Sequence, residues 1–272
     1  MGEQQEIDLT RPSAARVYDY YLGGAHNFAV DREMARKAIE MWPELPLIMQ
    51  ANRAFLRRAV EFCVASGVRQ FLDLGSGIPT AGNVHEVARS ADPGARVVYV
   101  DNDPVAVTYS RTILGDDPRT SVLRADLRDP RDVLAQARTL LDFSRPVAVM
   151  MVAVLHFVGD ADRPADVVAA YRDAVQPGSL LVVSHATQDG QNGQADEHED
   201  LYRRRTATPM TMRSKAQVAE FFAGYDLVDR GSCTCPCGAR RRRTRWTGDR
   251  SASRAWRRWA ASAEPRALSR EC

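Results

Sequence analysis

The sequence predicts an α/β fold in which a doubly wound, mostly parallel sheet carries an N-terminal helical cap. Three observations predict it. Apolar residues recur at helical spacing over 12–67, short apolar runs alternate with helical stretches from Gly67 onward, and 272 residues at 44% hydrophobic suffice to cover a sheet on both faces. The same composition, 26% charged, excludes fibrous and small disulfide-scaffold classes. No apolar run approaches the roughly 20 residues of a membrane span, so no membrane partner is expected. The polar, acidic start at 1–11 lacks an apolar segment, which predicts no secretory signal and a cytoplasmic location.

In the first segment Val17, Tyr20 and Tyr21 fall on one helical face, as do Ala35, Ala38, Ile39 and Trp42, and then Ile48, Phe55, Leu56, Ala59 and Phe62. Gly23-Gly24 and the prolines flanking Glu44 and Leu45 punctuate them, so three helices precede the first strand. Strands are predicted at 70–74, 96–100, 121–125, 147–155 and 180–184, with helices at 81–90, 104–114, 130–141 and 164–175. The stretch 188–200, rich in Gln, Gly and acids, has no periodicity and reads as a mobile loop. A helix at 214–222 and a sixth strand at 225–228 close the pattern. The chain divides accordingly into a helical cap (1–67), an α/β core (68–229) and a tail (230–272).

The tail differs in kind. It holds 12 of the 37 basic and 3 of the 35 acidic residues, a net +9, which leaves −7 on residues 1–229. Four of the five cysteines and three of the four tryptophans lie in it, and it has no Val, Ile, Phe or Tyr. Cys233, Cys235 and Cys237 lack the second spaced cluster that a zinc site needs, so no metal is expected. The arginines at 240–243 and the tryptophans suit phosphate contacts and base stacking, so nucleic-acid association is expected only through this tail. A further reading explains more of the composition. Codons for 231–239 can be chosen so that a one-base shift reads Gly-Leu-Val-His-Val-Pro-Leu-Trp-Arg, an alternating apolar strand. A chain out of frame from about Arg230 would lack its last, antiparallel strand and expose a sheet edge.

In an open α/β sheet, ligands bind beyond the carboxyl ends of the strands, where the strand order reverses. After the first predicted strand stands Asp73-Leu74-Gly75-Ser76-Gly77, whose glycines let a ligand approach the backbone. After the second stand Asp101, Asn102 and Asp103, with Asp101 26 residues beyond Gly75, a distance that suits a carboxylate on ribose hydroxyls. After the third comes Asp126. Asp103, just before Pro104, reads as a helix cap rather than a ligand. A dinucleotide would want a third glycine where Thr80 stands, whereas the cationic sulfonium and amino group of S-adenosylmethionine favour acids near the turn. Asp73 therefore favours the second cofactor, and a nicotinamide-dependent oxidoreductase is the alternative.

These strand ends resemble those of the class I S-adenosylmethionine-dependent methyltransferases, whose sheet is Rossmann-like. The string Arg16-Val17-Tyr18-Asp19-Tyr20-Tyr21-Leu22-Gly23-Gly24-Ala25-His26-Asn27-Phe28, followed by Asp31-Arg32, resembles the signature of an actinobacterial family of such enzymes, the DUF574-like proteins. The resemblance runs over about 13–228. It implies a seven-stranded sheet with a helical cap over the cofactor and an unassigned methyl acceptor. It also implies that Asp73, Gly75 and Gly77 face the methionine end of S-adenosyl-L-methionine, Asp101 with Asn102 the ribose, and Asp126 with Leu127 the adenine edge. Tyr18, Tyr21 and Asn27 would belong to a lid, the alternative being an ordinary amphipathic helix ending at a Gly-Gly cap.

Methyl transfer needs in-line approach and exclusion of water, and a general base only when the acceptor is protonated. His156, just past the fourth predicted strand, is the candidate catalytic base, and His185 a second of the same kind. The expected substrate is a small molecule. An inactive cofactor-binding relic, or an RNA-associating protein with a damaged C-terminus, is the non-enzyme alternative. The sequence specifies neither the methylated atom nor an oligomeric state.

Overall fold

A computed structural model describes residues 10–79, 82–190, 193–206, 208–228 and, as backbone, 266–271. Three helices come first, α1 (Ala14–Tyr21), α2 (Ala29–Met41) and α3 (Leu45–Ala65). Strands and helices then alternate: β1 (Gln70–Leu74), α4 (Val84–Ala91), β2 (Arg96–Asp101), α5 (Pro104–Leu114), β3 (Thr120–Arg124), α6 (Pro130–Ala137), β4 (Ala148–Val152), α7 (Pro164–Asp173) and β5 (Leu180–His185). After them come α8 (Gln194–Arg205), α9 (Lys215–Glu220), β6 (Asp226–Leu227) and β7 (Arg266–Glu271). The strands form one sheet in the order β3-β2-β1-β4-β5-β7-β6, and every pairing is parallel.

The inner strands are apolar on both faces because each face is covered. Leu72, Leu74, Val98, Val100, Val149, Met151, Leu181 and Val183 point to a layer made by α6, α7 and α9. Their neighbours Phe71, Val97, Tyr99, Ala148, Met150, Leu180 and Val182 point to α3 and α4. This two-residue alternation fixes the register, since a slip of one residue would exchange the two faces. Each fully buried side chain of this size contributes about 1.5–3 kcal/mol. Asp103 caps α5, accepting from the Val105 and Ala106 backbone amides, with Pro104 at the first helical position.

A third apolar cluster lies above the strand ends. Val17 and Tyr21 of α1, Met34, Ala35 and Ala38 of α2, and Ala195 and Tyr202 of α8 meet in it with Trp42, Met210 and Met212. The cap is thus α1 and α2 completed by α8 and by the start of α3, where Leu45, Ile48 and Met49 join the cluster, while Phe55, Leu56, Ala59, Val60, Cys63 and Val64 of α3 pack on the sheet. The expectation of a loop at 188–200 is corrected here. Helix α8 buries Ala195, His198 and Tyr202, one narrow stripe, and is otherwise polar, which is why no periodicity was visible. Its first-turn acids Asp196 and Glu197 and last-turn Arg203, Arg204 and Arg205 complement the helix dipole.

Strand β4 stops at Val152, three residues short of the expected end, because Ala153 adopts φ 56°. Its amide donates to the Ser184 carbonyl and hydroxyl at 3.1 and 2.9 Å, which holds the left-handed turn. The proposed antiparallel strand at 231–239, the cysteine cluster and the arginines at 240–243 lie outside the described residues. Strand β7 pairs in parallel along β5, from Leu180 opposite Arg266 to His185 opposite Glu271. Among the described residues no helix is long and apolar enough to cross a membrane.

Candidate active site

Strand order reverses between β1 and β4, so the loops leaving their carboxyl ends diverge. A cavity of about 640 Å3 opens there. The turn after β1 (Asp73, Gly75, Ser76, Gly77), the β2 end (Asp101, Asn102, Asp103) and the β3 end (Asp126, Leu127, Arg128) form one side. Val154, Phe157 and Val158 after β4 form another, and Ser13, Arg16 and Tyr18 of the α1 region with Asn52 and Arg53 of α3 stand over them.

The β1 turn is shaped by glycine. The Gly75 and Ser76 amides both donate to the Val100 carbonyl, at 2.8 and 3.1 Å, which requires φ of 70° at Gly75. A Cβ on Gly75 would meet Val154 Cγ2 at 2.1 Å, whereas one on Gly77, at φ 64°, would meet nothing within 4 Å. Gly75→Ala is therefore expected to lose about 2–4 kcal/mol of stability, from left-handed strain plus overpacking, against about 1–2 for Gly77→Ala. Denaturant unfolding of the two variants checks this; equal losses would show that Val154 yields freely.

Asp101 joins this turn to the next strand end. Its Oδ2 accepts from the Gly77 amide at 2.7 Å and its Oδ1 from the Asp103 amide at 2.9 Å. Each oxygen keeps acceptor capacity for a hydroxyl. Burial raises the Asp101 pKa to about 6, with the Asp103 and Gly77 amides opposing the rise. Burial likewise raises Asp73 to about 7, opposed by the charge of Arg53 and assisted by Asp101. Two acids held in the wall at elevated pKa are groups whose charged forms are only partly compensated, Asp73 by Arg53 and Asp101 by backbone amides. Asp126 behaves differently. Arg128 donates to it from Nε and Nη2 at 3.0 and 2.6 Å, holding its pKa below the usual range, and reaches Asp162 at 3.1 Å.

The sequence profile described as S-adenosyl methyltransferase matches residues 1–263. The chain belongs to that family. It is an S-adenosylmethionine-dependent methyltransferase, with a Rossmann-like class I sheet and S-adenosylmethionine as its methyl donor. It is similar to a protein from Thermobifida fusca YX solved as a candidate methyltransferase, at 41% identity over 83% of this chain and 85% of that one, TM-score 0.78. It is also similar to a DUF574 family protein from Streptomyces avermitilis MA-4680, at 39% identity over 83% of this chain and 88% of that one, TM-score 0.79. Comparison with the curated proteins finds no match.

In this methyltransferase eight of the expected site residues share the cavity wall: Tyr18, Asp73, Gly75, Gly77, Asp101, Asn102, Asp126 and Leu127. Three do not. Tyr21 is packed inside the cap with Tyr202. Asn27 is buried, its amide donating to Asp19 Oδ2 at 2.8 Å and the Gly24 carbonyl at 2.9 Å, while Arg32 donates to its carbonyls. Asp19 also accepts from the His26 amide, and a Cβ on Gly24 would collide with its carboxylate at 2.1 Å. Arg16 pairs with fully buried Asp31, which also accepts from the Ser13 and Phe28 amides. The N-terminal signature is therefore mainly a lock that shapes the cap, with Tyr18 reaching the cavity.

His156 is the third. It is 6% exposed and packed tilted against Phe157 and edge-on to His185, with its Nδ1 3.4 Å from the Ala186 amide. Burial, then His185, His198 and Arg213, push its pKa well below the usual histidine value. A ring sealed behind the wall and hard to protonate is a packing group between β4 and β5. His185 is similarly buried, its pKa lowered to about 4 by burial, and its Nε2 lies 3.0 Å from Arg213. Sequence reasoning missed Asn52 and Arg53, which lie mid-helix with no strand end to mark them.

Proposed function

We propose that the cavity binds S-adenosylmethionine across the β1 and β2 strand ends and orients a small-molecule methyl acceptor against it. One observation carries the reading: two buried acids, Asp73 and Asp101, and two left-handed glycines converge on one cavity at the sheet's switch point. Acids there would repel the pyrophosphate of a dinucleotide and attract a sulfonium and an ammonium. The volume, about 640 Å3, lies within the range of small-molecule pockets.

When bound, the cofactor supplies a methyl group on a cationic sulfur. The residues of this chain do the rest by position. Asp101 accepts from ribose hydroxyls while the Gly77 and Asp103 amides hold its carboxylate in place. Asp73 offsets the cofactor's positive charge, and the turn at Gly75 and Gly77 lets its chain lie close to the backbone. Asn102 stands exposed beside the ribose position, and Leu127 gives the adenine an apolar surface, with the Asp126–Arg128 pair at its edge. Val154, Phe157, Val158 and Tyr18 exclude water from the transfer path. Orientation of this kind supplies up to about 7–11 kcal/mol in favourable cases, so no general base is required of an acceptor that is already unprotonated. The cap of α1, α2 and α8 is the cover of the site, and the enzyme works in the cytoplasm, where its donor is made.

The test is calorimetric titration of S-adenosylmethionine into the parent and into Asp101→Ala. Binding to the parent and at least about 100-fold weaker binding to the variant are expected, from the loss of a charged acceptor to two hydroxyls. Equal affinity for both proteins removes the assignment. NAD titrated in parallel is expected to give no heat of binding.

A further inference from the structure

We infer that Arg53, with Asn52 beside it, forms the receptor for the cofactor's α-carboxylate, so that its amino-acid end is held as a zwitterion between Arg53 and Asp73. The inference rests on the reading that the cavity binds S-adenosylmethionine. Asn52 is 3% exposed; its amide donates to the Tyr18 hydroxyl at 3.0 Å, and its Oδ1 has no hydrogen-bond partner among the described residues. The Nε of Arg53 is also buried without a hydrogen-bond partner among the described residues, and its guanidinium lies 5.9 Å from the Tyr18 ring centre. Both residues line the cavity with Asp73, and Arg53 acts on Asp73 through its charge.

Buried polar atoms without partners cost stability, and natural proteins retain them chiefly where a ligand completes the bonding. Here an unmatched donor and an unmatched acceptor, among the described residues, stand on consecutive residues in the same cavity wall as a buried carboxylate. An α-amino acid presents the complementary set: a carboxylate for the donor, and an ammonium for the acceptor and the acid. The carboxylate is the one anionic group on this cofactor, so the half-buried guanidinium of Arg53 in the cavity wall has one natural counter-ion on it. Other arginines of the wall are committed elsewhere. Arg16 is paired with Asp31, Arg128 with Asp126 and Asp162, and Arg11 donates to the Thr206 carbonyl. Arg53 therefore distinguishes the intact amino acid from cofactor derivatives that lack its carboxylate.

Three probes separate this role from a merely structural one: S-adenosylmethionine, its decarboxylated form, and 5′-methylthioadenosine, which lacks the whole amino acid. Calorimetry on the parent is expected to show the decarboxylated form binding about 10- to 100-fold more weakly than S-adenosylmethionine. Arg53→Gln should weaken S-adenosylmethionine by a similar factor while leaving the other two unchanged, and Arg53→Lys should fall between. Parent affinities that are equal for the carboxylated and decarboxylated forms overturn the inference, with no variant needed. So does an Arg53→Gln variant that weakens all three probes alike. A parent that binds none of the three overturns the cofactor site itself, and with it this role.

Discussion

Arg213→Leu is expected to lower the unfolding free energy by about 2–4 kcal/mol, from a buried carbonyl left unsatisfied and the loss of hydrogen bonds made by a charged group. Arg213 is 3% exposed and donates to the carbonyls of Leu155 and Val158 at 3.0 and 2.8 Å. It also meets His185 Nε2 at 3.0 Å and Asp160 Oδ1 at 2.6 Å, with its guanidinium over Phe221. The ion pair with Asp160 is the lesser part, since that carboxylate is 75% exposed. The carbonyls matter more, because among the described residues a leucine would leave the buried Val158 carbonyl without a donor, while the Leu155 carbonyl keeps the Val158 amide at 3.1 Å. Asp160→Asn is accordingly expected to cost within about 1 kcal/mol. Denaturant unfolding of the two variants decides; similar losses would show that the carbonyl clamp is not what the arginine supplies. The clamped segment carries Phe157 and Val158 onto the cavity wall, so the loss should reach cofactor binding as well.

Asp73→Asn should move stability and affinity in opposite directions. Burial raises the Asp73 pKa from 3.8 to about 7, so the folded protein holds this proton to a higher pH than the unfolded chain does. The sign follows. The group favours folding below about pH 4, that contribution is lost as pH rises, and above about pH 7 its charge sits in the fold at a cost approaching about 4 kcal/mol at most. The asparagine variant should therefore be more stable than the parent at pH 8, by about 1–3 kcal/mol, and nearly equal to it at pH 4. It should also bind S-adenosylmethionine about 10- to 100-fold more weakly at pH 8, having lost the charge that faces the ammonium. In the parent, affinity should fall between pH 8 and 5 as Asp73 and Asp101, raised to about 7 and about 6, take up protons. Unfolding and calorimetry at both ends of this range are the measurements. A variant whose stability relative to the parent is the same at pH 4 and pH 8 contradicts the buried-charge account.

Several site residues were legible before any coordinates because they follow from order along the chain. Once 70–74 and 96–100 are read as strands, Gly75, Gly77 and Asp101 must leave their carboxyl ends, and parallel strands bring those ends together. The cap of α5 by Asp103 needed only the Asp-Pro pair. Helix α8 was hidden because its buried stripe is Ala195, His198 and Tyr202, too sparse and too polar for a periodicity argument. Tyr18 and Tyr21, one helical turn apart in the same signature, part company in the fold. The first meets Asn52 at the cavity, and the second lies against Tyr202 in the cap.

The amino-acid order by itself determined the layered α/β architecture and the acids at the strand ends, because two-residue and helical periodicities are local and strand direction follows from the crossovers. Only the tertiary structure decided where the strand order reverses, that His156 is sealed behind the wall, that Asn27 and Asp31 hold the cap together, and that Asn52 and Arg53 line one cavity with Asp73. Those meetings depend on how helices rotate and dock on the sheet. That outcome is a sum of many weak packing contacts between residues far apart in sequence, and no short pattern encodes it.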